Sequence, residues 1–434
     1  MGRWTAALLA GMVACGKRER PAEPETIVLI VIDTLRADHM SLCGYDRPTT
    51  PRLQAWVEGL GDKVAWTCQG HPPGTWTLPS HASYFTGVAP LEHSALLRSH
   101  PVPESQVTLA EEFAARGWQT AIFSANPVLS PAAGLLQGFE HVLRAPDLDA
   151  FRGKDALGKF EELLAQLDPK KPLFLVVNLI DAHDPYPRVP RGVDWVAEQD
   201  PVGLLVDPGR DGLPAVRFMD GVLPPREAKA YVQKLTDGYD WGVHEADETL
   251  IKVIRRLREG GFSSRGQRLV ITSDHGEHLG EHGLVRHNGV PYDPVARVPL
   301  LVRDDTRDKQ VKLDGPLSTL VVWSLLRTGD LPGPLPPVTT VSTDDRHDKP
   351  WRDAGVALWI GEHEKLVWRA GTTVRYDLAQ DPQELTPLPA DDHPRVGEVT
   401  ALVEQLHATE ERLRSQKKSR AMAKELEELG YVDE

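Results

Sequence analysis

The sequence has few cysteines, fewer basic than acidic residues and no long apolar run. Its three cysteines exclude a disulfide-dense scaffold and a cysteine-rich zinc fold. Lys and Arg number 49 against 63 Asp and Glu, and this net charge of −14 argues against a nucleic acid partner. No apolar run reaches the roughly 18 residues that a membrane span needs. The 434 residues, 41% hydrophobic and 26% charged, are typical of a globular protein with a large core.

The N-terminal segment resembles a bacterial lipoprotein signal. One arginine and a short apolar stretch with small residues precede Cys15. In this interpretation Cys15 is lipidated after cleavage, and residues 1–25 are a signal followed by a charged tether with two prolines. We therefore expect a cell-envelope protein, on the periplasmic or outer-membrane side, whose only membrane contact is the lipid anchor. A frayed terminus with an incidental cysteine is the alternative.

The other cysteines, Cys43 and Cys68, lie 25 residues apart in the sequence. We interpret them as two buried thiols. In an exported protein they could instead pair as one disulfide, since disulfides persist in oxidising compartments.

Short apolar runs rich in β-branched residues recur along the first 300 residues. Uninterrupted runs of this kind are typical of strands covered on both faces. Amphipathic helical patterns that end at a glycine lie between them, for example at 108–117 and 243–259. The alternation predicts an α/β fold with a mostly parallel, doubly wound sheet. The runs are 26–32, 119–123, 172–180, 267–272 and 298–302.

A change in composition at 329–350, first rich in Pro and Gly and then polar, predicts a domain boundary. We expect a larger domain at 26–335 and a smaller C-terminal α+β subdomain at 340–434. The subdomain would contain short antiparallel strands and a charged amphipathic helix at about 395–418. The stretch 187–225, rich in Pro, Gly and Asp, is expected to be a long insertion loop.

Three of the predicted strands are followed by an aspartate: Asp33, Asp181 and Asp274. Ligands bind at the carboxyl ends of the strands in an open α/β sheet, so these carboxylates should converge. Converging carboxylates repel one another unless a cation lies between them. The pattern, with His275 beside Asp274, predicts a divalent metal site. The alternative is that each aspartate caps the next helix or turn.

Five segments resemble the successive motifs of the sulfatase family in the alkaline phosphatase superfamily, and they occur in the family's order. The resemblance covers roughly residues 26–434 and implies an alkaline-phosphatase-like fold in which 26–335 is the catalytic domain. The motifs are VIDTLRAD at 31–38, TLPSHASYFTG at 77–87, DAHDPY at 181–186, SDHGEHLGEHG at 273–283 and RVPLLV at 297–302.

The resemblance also implies a set of site residues. Thr77 corresponds to the nucleophile at the start of a helix, where the helix N-terminus and a cation both stabilise charge that develops in the transition state. The implied catalytic residues are Thr77, His81 and His183, and the implied metal ligands are Asp33, Thr77, Asp274 and His275. Asn126, Asp181, His183 and His287 are implied to bind the substrate or a second metal.

The chain departs from the family's pattern around the nucleophile. The family has Cys or Ser where this chain has Thr77, and oxidises that residue to formylglycine, an aldehyde that threonine cannot give. The family's arginine four residues later is His81 here. A family lysine before Asn126 is missing, another is replaced by Asn288, and the second Asp of the usual pair is Thr34. We therefore expect no formylglycine and fewer fixed positive charges in the anion pocket.

For the cofactor, the resemblance implies a divalent cation, Ca²⁺ or Mg²⁺, with Mn²⁺ or Zn²⁺ also compatible with the Asp-His pair. A threonine nucleophile is more similar to the phosphodiesterase branch of the superfamily, which uses two zinc ions. Asp181, His183 and His287 could supply the second site. Because their Asp-x-His spacing is not that branch's usual Asp-x-x-x-His, we expect one ion rather than two.

Together these features predict a metal-dependent hydrolase that cleaves sulfate esters or related anionic esters of sugars, lipids or aryl compounds. Thr77 would attack sulfur or phosphorus, and His81 or His183 would protonate the leaving group. A phosphodiesterase, a phosphonate hydrolase or a phosphoglycol transferase are the alternatives among enzymes. A metal-binding pseudoenzyme without turnover is the alternative outside them.

Overall fold

The computed structural model describes residues 23–196, 213–287, 289–343, 354–416 and 419–428. The predicted lipoprotein signal with Cys15 lies outside these residues, as do Asn288 and parts of the predicted insertion loop and boundary segment. Within the described ranges, no helix is both long enough and apolar enough to cross a membrane.

A central sheet of eight strands confirms the predicted α/β fold. The central strand β1 pairs in parallel with both neighbours, and only β9 runs antiparallel to the strands beside it. All seven residues of β1 are buried, as expected for a strand covered on both faces. In spatial order the strands are β10 (Leu317–Ser318), β2 (Ala65–His71), β9 (Val298–Asp304), β6 (Gln267–Thr272), β1 (Thr26–Ile32), β5 (Leu173–Leu179), β3 (Gln119–Ser124) and β4 (His141–Arg144).

Helices cover both faces of this sheet. Val28, Ile30 and Ile32 of β1 pack with α1, α5 and α7, whereas the odd-numbered residues of β1 pack with α2, α4 and α9. The described part of the predicted insertion loop contains α6, so that part of the loop prediction is wrong. The helices are α1 (Pro51–Leu60), α2 (Thr77–Thr86), α3 (Pro90–His93), α4 (Leu109–Ala115), α5 (Gly153–Leu164), α6 (Leu213–Met219), α7 (Pro225–Glu259), α8 (Asp293–Ala296), α9 (Val322–Thr328), α10 (Val396–Ser415) and α11 (Arg420–Glu428).

A second sheet, antiparallel and five-stranded, follows the central one in the sequence. Helix α10 packs on it through Val399 and Leu406. The backbone N–H of Val341 donates to Pro73 O at 3.0 Å, which joins this sheet to the segment before α2. The domain limits at 335 and 340 stay a prediction. The strands are β11 (Thr339–Ser342), β12 (Gly355–Ile360), β13 (Glu364–Arg369), β14 (Thr372–Asp377) and β15 (Leu388–Pro389), and a separate ribbon is formed by β7 (His278–Leu279) and β8 (Val285–Arg286).

Cys43 and Cys68 form a disulfide, so their interpretation as buried thiols is wrong. Cys43 ends a short 3-10 turn and Cys68 lies in β2, with their Cα atoms 6.0 Å apart, a separation that suits a disulfide. Both residues are half-buried. The contact arises because the turn after β1 packs against β2, which the spacing of the two cysteines does not reveal.

Candidate active site

Asp33, Asp274 and His275 form a buried cluster at the carboxyl ends of β1 and β6. One side-chain atom of each lies within 4.8 Å of the others. His275 Nε2 is 3.8 Å from Asp33 Oδ1 and 3.5 Å from Asp274 Oδ2. The two strands are parallel neighbours, so the residues that follow them meet at one edge of the sheet.

The polar atoms of this cluster fit a bound cation. Asp33 Oδ1, Asp274 Oδ2 and His275 Nε2 are buried without a hydrogen-bond partner among the described residues. Unpaired buried polar atoms are costly, and these three are anionic oxygens or a nitrogen lone pair. His275 Nδ1 donates to Gly276 O at 2.9 Å, which leaves Nε2 as the ligand atom of a neutral ring. Burial and the Asp33 carboxylate raise the pKa of Asp274, a shift that a divalent cation would reverse.

Thr34, where the family has a second aspartate, has its hydroxyl hydrogen-bonded elsewhere. Its Oγ1 donates to Ala182 O at 2.8 Å. Its backbone has φ +57°, a conformation that is strained for a β-branched residue. The Tyr239 hydroxyl holds this turn, because it donates to Thr34 O and accepts from Arg36 N, both at 2.8 Å. The turn also brings Thr34 N to 3.4 Å from Asp274 Oδ1, to which it donates.

Thr77 is the first residue of α2 and is fully buried. Pro79 lies in the first turn, where its missing N–H removes no intrahelical bond. The Asn126 side-chain Nδ2 donates to Thr77 Oγ1 at 3.2 Å and to Asp33 Oδ2 at 2.7 Å. The hydroxyl therefore lies at the positive end of a helix and is joined to the carboxylate cluster through one amide group.

Asn178 supports this link, and the sequence analysis missed it. Its Nδ2 donates to Asp33 Oδ2 at 3.2 Å, and its Oδ1 accepts from Asn126 N at 2.9 Å. Asn178 is fully buried in β5. An asparagine inside an otherwise apolar run was the available signal, because buried amides need partners.

His81 lies one helical turn after Thr77, on the same side of α2. Its Nδ1 donates to Thr77 O at 3.0 Å and lies 3.5 Å from Asp274 Oδ2. Burial lowers the pKa of His81 to about 4, so the ring is neutral near pH 7. Its Nε2 is buried without a hydrogen-bond partner in the described ranges.

His183 and His287 also lie at the cluster. The ring centroid of His287 is 4.5 Å from that of His275 and 5.1 Å from that of His183. The Asp181 carboxylate instead accepts from Gly153 N at 2.8 Å, at the start of α5. Burial raises the pKa of Asp181 to about 6. The structure therefore brings both histidines to the cluster. It binds Asp181 Oδ1 to a helix terminus, whereas Asp181 Oδ2 is buried without a hydrogen-bond partner among the described residues.

Arg98 is a further cation that the sequence analysis missed, because it belongs to none of the motifs. Its guanidinium lies 5.8 Å from the centroid of the Trp76 ring, and Trp76 precedes the predicted nucleophile. Burial and then the charges of His275, His183 and Arg98 lower the pKa of His287. Arg98 thus adds positive charge near His287.

Comparison with known proteins concerns the family and the fold of the chain. A family model described as Sulfatase matches residues 25–322. An ulvan-active sulfatase of Formosa agariphila is 23% identical over 401 residues, which are 84% of this chain and 74% of that protein. An uncharacterized sulfatase of Escherichia coli, YidJ, is 26% identical over 134 residues, so the chain matches 27% of its length.

Two solved structures illustrate the shared fold. The phosphonate monoester hydrolase of Agrobacterium radiobacter has a TM-score of 0.63 at 18% identity, over 90% of this chain and 96% of that one. The protein BT4656, solved in complex with its substrate D-glucosamine-2-N,6-O-disulfate, has a TM-score of 0.63 at 15% identity, over 92% and 100%. At these identities the likeness concerns the fold.

Proposed function

Since the chain belongs to the sulfatase family, we propose that it is a metal-dependent hydrolase of sulfate esters or related anionic esters, with Thr77 as the nucleophile. The observation that carries the proposal is the Asn126 amide, which donates to both Thr77 Oγ1 and Asp33 Oδ2. A hydroxyl placed in this way, at a helix N-terminus and beside unpaired ligand atoms, suits attack on an anionic ester.

In the first step Thr77 Oγ bonds to sulfur or phosphorus, and the bond to the leaving oxygen breaks. The Thr77 proton passes to a histidine and from there to the leaving oxygen. His81 and His183 are the proposed carriers. Nδ1 of each ring donates to a backbone carbonyl, Thr77 O and Asp184 O respectively, so proton exchange uses Nε2.

In the second step water cleaves the threonyl ester and restores Thr77. A threonine hydroxyl alone is too weak an acid to ionise near pH 7. A divalent cation held by Asp33, Asp274, His275 and Thr77 would lower the pKa of this hydroxyl and neutralise charge on the ester oxygens.

The donor set shifts our expectation for the ion from Ca²⁺ or Mg²⁺ towards Zn²⁺ or Mn²⁺. It contains a histidine nitrogen, and with Thr77 it offers four ligands, whereas Ca²⁺ takes six to eight oxygens. Thr34, whose hydroxyl is bound to Ala182 O, adds none. One ion is proposed rather than two, because Asp181 and His183 have an Asp-x-His spacing and Asp181 Oδ1 is already bound by Gly153 N.

Hydrolysis of a phosphate diester or a phosphonate monoester is the second candidate function. Thr77 favours it, because a threonine alkoxide attacks the ester directly and needs no formylglycine. For the alcohol part of the substrate we propose a sugar, since one relative is an ulvan-active sulfatase and one structural neighbour binds a sulfated glucosamine.

The cell envelope is the proposed location, with Cys15 as the lipidated residue. The Cys43–Cys68 disulfide supports export, since such bonds persist outside the reducing cytosol. Full-length protein should partition with membranes and Cys15→Ala should not. A native N-terminus at Met1, found by mass spectrometry, would contradict this proposal.

A rate comparison tests the function. Metal-loaded protein is assayed on an aryl sulfate, an aryl phosphate monoester and diester, and an aryl phosphonate monoester, each beside Thr77→Ala. We expect turnover of at least one ester that Thr77→Ala abolishes. Turnover that Thr77→Ala leaves unchanged would overturn the role of Thr77, and no turnover of any ester by the wild-type protein would leave a metal-binding pseudoenzyme.

A further inference from the structure

One buried carboxylate, that of Glu277, joins three loops of the site. Its Oε1 accepts from His287 Nδ1 at 3.1 Å, and its Oε2 accepts from the Tyr186 hydroxyl. Tyr186 lies in the loop after β5, which also carries His183. Glu277 follows β6 and is two residues from His275, and His287 follows β8. Glu277 therefore links the loops that carry His183, His275 and His287 through a single side chain.

The contact with Glu277 determines the tautomer of His287. In its ionised form Glu277 only accepts hydrogen bonds, and the bonded nitrogen, Nδ1, then carries the ring proton. In the neutral ring Nε2 then has the lone pair. The ring packs between His275 and His183, and its side chain is 7% exposed. The nitrogen left for the site is therefore a hydrogen-bond acceptor.

Tyr186 fixes Glu277 in turn. Its ring packs edge to face on Tyr239, with centroids 5.8 Å apart, and a Cβ added to Gly238 would lie 3.1 Å from Tyr186 Cβ. Tyr239 is the residue that holds the strained turn of Thr34. The carboxylate is thus anchored to the structure that also positions the metal-ligand cluster.

We propose that Glu277 is a positioning residue that holds His287 with Nε2 towards the site, where Nε2 accepts a hydrogen bond from the water that hydrolyses the threonyl ester. The proposal rests on the proposed function, because that ester forms only if Thr77 is the nucleophile. It places Glu277 and His287 in the second step. Water oxygen bonds to sulfur or phosphorus, the bond to Thr77 Oγ breaks with its electron pair on Oγ, and the proton that the water loses ends on Oγ, which restores the threonine hydroxyl.

Two substitutions separate this role from a general structural one. Glu277→Gln keeps the volume, but its amide can donate to Nδ1 and so favours the other tautomer of His287. His287→Asn keeps an N–H for Glu277 and removes Nε2. We expect each to lower kcat by about 10- to 100-fold, in the range found for groups that orient active-site histidines. Because only the second step slows, KM should fall as well and the threonyl ester should accumulate.

The experiment is quenched-flow kinetics on metal-loaded protein with an aryl ester, followed by mass spectrometry of the Thr77 peptide. Glu277→Gln, His287→Asn, the double variant and Tyr186→Phe are compared. The expected result is a sulfo or phospho adduct on Thr77 in both single variants, a smaller amount in Tyr186→Phe, and a double variant no slower than His287→Asn. Glu281→Gln is the matched control, since Glu281 lies just beyond β7 and binds Arg36, and it should accumulate no adduct.

The proposal is overturned if Glu277→Gln slows turnover but no adduct accumulates on Thr77. It is also overturned if the two losses in kcat multiply, so that adding Glu277→Gln to His287→Asn lowers kcat by the same factor as Glu277→Gln alone. In either case loss of turnover in Thr77→Ala would leave the proposed function standing. If Thr77→Ala keeps its turnover, the function itself fails. If Glu277→Gln does not fold, Tyr186→Phe still provides the test. This variant removes one hydrogen bond to Glu277 and leaves the charge of Glu277 unchanged.

Discussion

His275 Nε2 lies 3.5 Å from Asp274 Oδ2, and both atoms are buried without a hydrogen-bond partner among the described residues. Asp33 adds a second buried carboxylate to this cluster. The three groups therefore lower the free energy of unfolding unless a cation lies between them. The predictions concerning the metal follow from this contact.

Removal of the metal should destabilise the protein and abolish turnover. A ligand bound only by the folded state adds about 4 kcal/mol at a free concentration about 1,000 times Kd. Thermal unfolding with and without a chelator measures the change. Asp274→Asn should raise the free energy of unfolding of the metal-free protein by about 1 to 3 kcal/mol, since it removes a buried charge. A chelator that leaves both Tm and turnover unchanged would exclude a metal at this cluster.

The number of ions is tested with Asp181→Asn. The Asp181 carboxylate accepts a hydrogen bond from Gly153 N, so its loss should leave the metal content at one ion per chain. Elemental analysis of the purified variant and of the wild type gives the stoichiometry. Two ions in the wild type and one in the variant would support the phosphodiesterase-like alternative.

Asn126 should matter more for rate than for substrate binding. Asn126→Ala removes the amide that joins Thr77 to Asp33, and we expect kcat to fall about 10- to 100-fold with KM little changed. Steady-state kinetics at matched metal content checks this. A change confined to KM would mean that the amide binds substrate and does not hold the nucleophile.

Arg98 should act on substrate binding. We expect Arg98→Gln to raise KM about tenfold or more, because the variant loses a hydrogen bond between the guanidinium and the anionic ester. Arg116→Gln is the matched control: Arg116 is exposed, and its guanidinium lies 5.0 Å from the centroid of the Trp118 ring. Inhibition by inorganic sulfate and phosphate should weaken in Arg98→Gln only. Equal inhibition of both variants would contradict an anion-binding role.

The fold and the convergence of Asp33 with Asp274 could be predicted because they follow from local patterns. Buried strands are apolar throughout, and residues after neighbouring parallel strands meet at one edge, which brings Asp33 to Asp274. The same rule was expected to bring Asp181 there. The turn after β5 directs its carboxylate to Gly153 instead, because side-chain direction depends on loop geometry that strand position does not define.

The remaining features depend on contacts between distant segments. Cys43 meets Cys68 only because a turn packs against β2. Glu277 lies within the SDHGEHLGEHG motif at 273–283, but its hydrogen bond with His287 requires β7 and β8 to pair. The Arg98 guanidinium lies 5.8 Å from the centroid of the Trp76 ring, although Arg98 belongs to none of the motifs. None of these contacts has a periodicity or spacing that the sequence shows.

The most direct measurement of the central claim is the turnover of Thr77→Ala at a metal content equal to that of the wild type, with Thr77→Ser beside it. Threonine contributes an oxygen that serine keeps and alanine lacks. We expect Thr77→Ala to lose nearly all turnover while Thr77→Ser retains a measurable fraction. If Thr77→Ala with its metal bound keeps most of the wild-type rate on the best substrate, the nucleophile is another group and the account is contradicted.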